Sequence, residues 1–171
     1  ETPNEVIGVI AHESGHISGR HLVQLRSAAS NAAIMSVIGM LLGAGAIAAG
    51  ASSGQGGISQ GGVAAAAGTG AIGQRSFLAY RRGQEAAADK AALRYLNATG
   101  QSAKGMLTTF RRFADEQMFS AKFVDPYAVS HPMARDRYRS LERAAQQSPY
   151  FNKRDTKSLQ FRHDMVKAKL F

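Results

Sequence analysis

Apolar residues recur at helical spacing along most of the chain, and strand-like alternation is scarce. Thr2-Pro3-Asn4-Glu5 reads as a capping box, with Thr2 as N-cap and Pro3 at the first helical position. Val6, Ile7, Ile10, Ile17, Val23 and Leu25 then supply the apolar positions of a helix expected from Pro3 to about Ser27. Gly8 and Gly15 interrupt it, each costing roughly 1 kcal/mol relative to alanine. Glycine inside a helix marks a place where another backbone or a ligand comes close. Further helices are expected at about Arg82–Asn97, Ala103–Met118 and Ala134–Gln147, and from about Thr156 onward. The first of these offers Ala88, Ala92, Leu93 and Leu96 for packing, and Gly100 fits its stop. Residues Ala121–Pro132 read as an irregular connection around two prolines. No internal repeat is visible, and the expected fold class is mainly α.

From Ser27 to Gln74 there is no Lys, Arg, Asp or Glu. Ala32 to Ala51 is apolar apart from Ser36, and about twenty such residues match the thickness of a bilayer. Most are Ala and Gly, so a buried helix, a helix lying on a membrane surface and a true span all remain open. Ser52 to Gln74 reads as low-complexity loop, with room for a short Ala-rich helix near Val63–Ala67. A glycine-rich insertion over about residues 42–74 builds little core and suits a mobile flap or plug over a site.

The chain has 171 residues, room for one domain, and no cysteine. Disulfides and thiolate metal sites are excluded, so any metal must sit on His, Asp or Glu. The formal net charge is +9, with fourteen Lys/Arg against seven Asp/Glu over residues 104–171 and seven against five before them. A solvated basic face, an anionic membrane surface and an acidic partner are all compatible with that balance. Nucleic acid is not favoured: no binding motif is present, and the arginines do not interleave with aromatics at a recognisable spacing. The helix start at residue 2, with no signal peptide ahead of it, is what a segment of a longer protein would show.

The candidate chemistry lies in His12-Glu13-Ser14-Gly15-His16. Histidines at i and i+4 share a helix face, one turn apart, so both imidazoles can reach one ion. The glutamate between them can take a proton from a water whose pKa a zinc ion lowers toward neutrality. With five His and six Glu in the chain, chance yields this pattern about once in two hundred sequences. His21, nine residues past His12, would face away on a continuous helix. No Asp or Glu stands between Glu13 and Glu85, where Glu85 and Asp89 repeat the i, i+4 spacing on a second expected helix. Glu85 can bind the metal, while Asp89 accepts a hydrogen bond from a histidine's other ring nitrogen and so fixes its tautomer.

HExxH followed by ExxxD is the gluzincin arrangement. The chain resembles the zinc peptidases related to HtpX and the CAAX prenyl proteases, and more narrowly their BepA/YfgC-like periplasmic members. The matching segments are VIAHESGHISGRH, RRGQEAAADKAAL and SHPMARDRYRSLE, about a quarter of the chain. The resemblance implies one Zn²⁺ per chain on His12, His16 and Glu85, with Glu13 as general base and acid and Asp89 orienting a ligand. It matches His131 to the family's His-Pro histidine, as an oxyanion donor or a fourth zinc ligand; a cap on the following helix is the plain alternative. It matches Arg137 to an arginine that holds a carboxylate near the site or serves as a structural ion-pair partner.

The same resemblance implies a gluzincin core in which the HExxH helix packs against the ExxxD helix, with a small upstream sheet outside this segment. Residues 1–148 would then be the catalytic domain, and 149–171 a connection toward a helical-repeat module. The implied activity is that of a zinc endopeptidase acting on cell-envelope proteins in quality control, in the periplasm of a Gram-negative bacterium. Unfolded outer-membrane proteins are the implied substrates. The alternatives are a chaperone-like binding protein with an occluded or inactive metal site, and a membrane-embedded or inner-membrane-associated peptidase.

Overall fold

The computed structural model describes residues 2–54, 56–119, 131 and 135–170. These form six helices and no strand: α1 (Pro3–Ser18), α2 (His21–Ser53), α3 (Gly56–Ala98), α4 (Lys104–Phe119), α5 (Arg135–Gln146) and α6 (Lys157–Leu170). The mainly α expectation holds among the described residues. The connection expected at Ala121–Pro132 lies outside them, apart from His131.

Two compact units divide the chain. One holds residues 1–19 and 84–171, the other residues 20–83. In the first, Thr2 caps α1 and its side chain accepts from the Glu5 N–H at 3.4 Å. α3 stops at Gly100, whose φ of +63° lets the Gln101 N–H reach back to the Leu96 carbonyl at 2.7 Å. The core joins Ala11 of α1, Ala92 and Leu96 of α3, Met106, Leu107, Phe110 and Phe113 of α4, and Leu141 and Ala145 of α5. The amphipathic i, i+4, i+7 spacing of Met106, Phe110 and Phe113 turns one face of α4 inward.

The face that α1 buries differs from the one its large apolar residues suggest. Val6, Ile10 and Ile17 are exposed, while Pro3, Gly8, Ala11, His12 and Gly15 are buried. Close approach is the reason. A Cβ on Gly8 would lie 2.6 Å from Met106 Cβ, and one on Gly15 would lie 2.7 Å from the Ala88 carbonyl oxygen. Small residues on this stripe bring α1 against α4 and α3, and the histidines share it. Asn4 fixes the register: its amide donates to the Ser102 carbonyl at 2.8 Å, and its side-chain oxygen accepts from the Gly105 N–H at 2.6 Å. The turn before α6 joins this anchor through Asp155, which accepts from the Asn4 N–H at 3.0 Å.

The single helix expected from Pro3 to Ser27 is two helices. The chain breaks at Gly19–Arg20, where Arg20 takes a left-handed conformation at φ 52°. In the second unit, α2 and the first half of α3 pair as a long hairpin that turns through left-handed Gly54. Residues 56–74, expected as loop with room for a short helix near Val63–Ala67, are helical throughout. No proline lies between Pro3 and Pro126, and alanine offsets part of the glycine cost. Several glycines also sit where the arms touch: a Cβ on Gly62 would meet the Gly43 carbonyl at 2.6 Å.

Candidate metal centre

The i, i+4 spacing on α1 brings His12 and His16 together, with their Nε2 atoms 3.1 Å apart. Two imidazole nitrogens at this distance can share one proton or aim lone pairs at a common ion. The Glu85 carboxylate of α3 lies beside both nitrogens. Its Oε2 is 3.4 Å from His12 Nε2 and its Oε1 is 3.4 Å from His16 Nε2. His131 joins from outside the helices, its Nδ1 3.1 Å from Glu85 Oε1. One ligand atom from each of His12, His16, Glu85 and His131 lies within 4.8 Å of the other three.

The donor set can be tested against the ion it resembles. Two bonds of about 2.1 Å at a tetrahedral angle place donor atoms about 3.4 Å apart. His12 Nε2 and His16 Nε2 are 3.1 Å apart, and each lies 3.4 Å from a different Glu85 oxygen, His12 from Oε2 and His16 from Oε1. The residues therefore fit a divalent ion in donor chemistry, as a His/His/carboxylate set whose ligand atoms gather within 4.8 Å of one another. His21 opens α2 and is not part of this group.

The surroundings orient these donors. Asp89 Oδ1 lies 3.0 Å from His12 Nδ1, within hydrogen-bond reach. Arg137 of α5 donates to both Asp89 oxygens, through Nε at 2.6 Å and an η nitrogen at 2.8 Å. Its other η nitrogen is 2.8 Å from Glu85 Oε2, leaving Oε1 as the oxygen turned to both His16 and His131. One guanidinium thus spans two carboxylates in the planar manner arginine allows and lysine does not. Phe110 of α4, absent from the sequence-based candidates, closes the floor: its ring meets His12 edge-on at 5.1 Å, and the Arg137 guanidinium lies 5.7 Å from it. Its only sequence signal is its place on the apolar stripe of α4.

Burial and charge explain how the site stays ionised. Burial alone would raise the Glu85 carboxyl, but hydrogen bonds with His12, His131 and His16, and the Arg137 charge, hold it far below the usual carboxylate range. Burial would likewise raise Asp89, yet the Arg137 and His12 hydrogen bonds keep it below its ordinary value. Burial pushes His12 down, whereas Asp89 and Glu85 push it up and prevail. The two carboxylates thus face one guanidinium and the imidazoles, an arrangement that a cation can join. Glu13 differs from Glu85 in exposure. Its side chain is 40% exposed and Glu85's is 6%, and Glu13 Oε1 lies 3.7 Å from His131 Nε2 at the open side of the cluster.

Comparison with known proteins is consistent with this geometry. A model of Peptidase family M48 matches residues 1–145. A protein named as a beta-barrel assembly-enhancing protease, from Vibrio cholerae serotype O1, is 33% identical over 153 residues, which cover 87% of this chain and 29% of that protein. The chain thus spans less than a third of that relative's length. No solved structure matches it significantly. The chain belongs to Peptidase family M48, metal-dependent peptidases whose BepA-like members it resembles.

Proposed function

We propose that the chain carries the catalytic centre of a zinc-dependent endopeptidase that hydrolyses peptide bonds of unfolded cell-envelope proteins in the periplasm. The observation that carries this reading is the cluster of His12, His16 and Glu85, with a second, more exposed carboxylate, Glu13, beside it. The name of the Vibrio relative motivates the substrate class, outer-membrane proteins during assembly. In this reading residues 1–148 are the catalytic domain and residues 149–171 a connection.

His12, His16 and Glu85 would hold the ion, with Asp89 fixing the His12 tautomer and Arg137 fixing both carboxylates. When bound, the ion supplies Lewis acidity, which makes water acidic enough to lose a proton near neutrality and polarises a peptide carbonyl. Glu13 accepts the proton from the attacking water and hands it to the departing amine. Its partial exposure suits that work, since a proton carrier must meet water and substrate. Glu85 is held too tightly by four cationic or hydrogen-bonding partners to exchange protons. Removal of metal by a chelator should abolish cleavage of casein, and added zinc should restore it. Cleavage that persists in the metal-free protein would reject the reading.

His131 bears on whether the site rests in an active state. Its Nδ1 lies as close to Glu85 as the other two imidazoles do, and its ring centre is 4.9 Å from that of His16. This supports a fourth-ligand role, which would fill the position that substrate and water need. Replacing His131 by alanine is therefore expected to raise basal proteolysis in a casein assay. A fall of about 10²–10³-fold would instead assign it the oxyanion role. Unchanged activity would reject both and leave His131 a loop residue.

A further inference from the structure

The unit of residues 20–83 is built inside out for a protein in water. At the seam between α2 and α3 lie Gly39, Gly43, Gly62 and Gly73, all buried. The large apolar residues of α2 face outward: Leu41 and Leu42 are 68% and 70% exposed, Met40 and Ile34 are 55% and 54%, and Val37 is 50%. The most apolar window of α2 is only 11% buried, so α2 is not a core helix. Where lipid surrounds a helix pair, small residues at the contact and large apolar ones outside are the stable arrangement, because packing rather than exclusion of water drives association.

Charge and length are consistent with this packing. The unit contains no Asp or Glu, and its five arginines, Arg20, Arg26, Arg75, Arg81 and Arg82, all lie outside the charge-free run of residues 27–74. Tyr80 Oη donates to Gln24 Oε1 at 3.0 Å, and a Cβ on Gly73 would sit 3.4 Å from the Ala32 carbonyl. That register sets Arg26 and Arg75 within about two helical turns of each other at the base of the hairpin. Beyond them, the twenty residues from Ala32 to Ala51 measure about 30 Å, the thickness of a hydrocarbon core, and the polar Ser52-Ser53 follows at the far end. Ser36 Oγ donates to the Ala32 carbonyl at 2.9 Å, and Thr69 lies against Gly39 at the seam.

We infer that residues 27–74 insert into a phospholipid bilayer as a helical hairpin, with the basal arginines at the headgroups of an anionic membrane. Arginine at a helix end extends its head to the interface while its stem stays apolar, and it draws anionic lipid there. The occupant of the apolar surface is the bilayer, not another protein. This inference rests on the unit of residues 20–83 alone and stands or falls independently of the peptidase reading.

Flotation of the full chain with phosphatidylcholine vesicles, with and without phosphatidylglycerol, tests it. The wild type should float with both, more completely with phosphatidylglycerol, and should resist high-salt and carbonate extraction. Leu41→Asp and Leu42→Asp together place two carboxylates at exposed, mid-helix positions that hold up no core. Each should lower partition into vesicles by about 10²-fold, while circular dichroism and metal content stay as in wild type. Three results would overturn the inference. The wild type could remain in the aqueous fraction, release from vesicles in high salt as an adsorbed basic protein does, or float equally well with both substitutions present.

Discussion

Replacing Glu13 by glutamine is expected to lower casein cleavage by about 10²–10⁴-fold while leaving the bound metal in place. The amide keeps the volume and the hydrogen-bonding reach of the carboxylate but cannot accept a proton. Because Glu13 is 40% exposed and outside the group of four donors, its substitution should leave folding and metal content untouched. kcat should fall with little change in KM, as for an interaction made chiefly in the transition state. A Glu13→Gln protein that cleaves casein near the wild-type rate would remove Glu13 from the mechanism.

The second large effect concerns the metal itself. Glu85→Gln should weaken metal binding by more than about 10²-fold, since even removing a residue that orients a ligand costs about 10–100-fold. Asp89→Asn should stay within that smaller range. The difference follows from position. Glu85 faces all three imidazoles, whereas Asp89 meets the far nitrogen of His12 and the Arg137 fork. Competition with a coloured chelator measures both affinities. Equal losses in the two variants would contradict the distinction between a ligand and its support.

Much of this site could be read before its geometry was known. Two i, i+4 pairs in a sequence with no other carboxylate between Glu13 and Glu85 leave few ways to build a His/His/carboxylate centre. The helix ends at Thr2 and Gly100 were also legible, because a cap and a left-handed stop each need particular residue types. The break at Gly19–Arg20 was not, since arginine carries no signal for the left-handed conformation it adopts. Nor was the helical state of residues 56–74: glycine weakens a helix in isolation, and only the facing arm shows where glycine is required for contact. The buried face of α1 escaped for a related reason. Hydrophobicity pointed to Val6, Ile10 and Ile17, but close approach selected Gly8, Ala11 and Gly15. Phe110 and the double grip of Arg137 depend on α4 and α5 meeting at the site, and no local pattern encodes that meeting.

The most direct test of the account is the metal content of the purified protein, read by elemental analysis on the wild type and on His16→Ala after identical dialysis. One zinc per wild-type chain and little or none in His16→Ala is the expected result. A wild type that binds no metal after exposure to zinc, or a His16→Ala protein that retains a full equivalent, would contradict the assignment of His12, His16 and Glu85 as a metal centre.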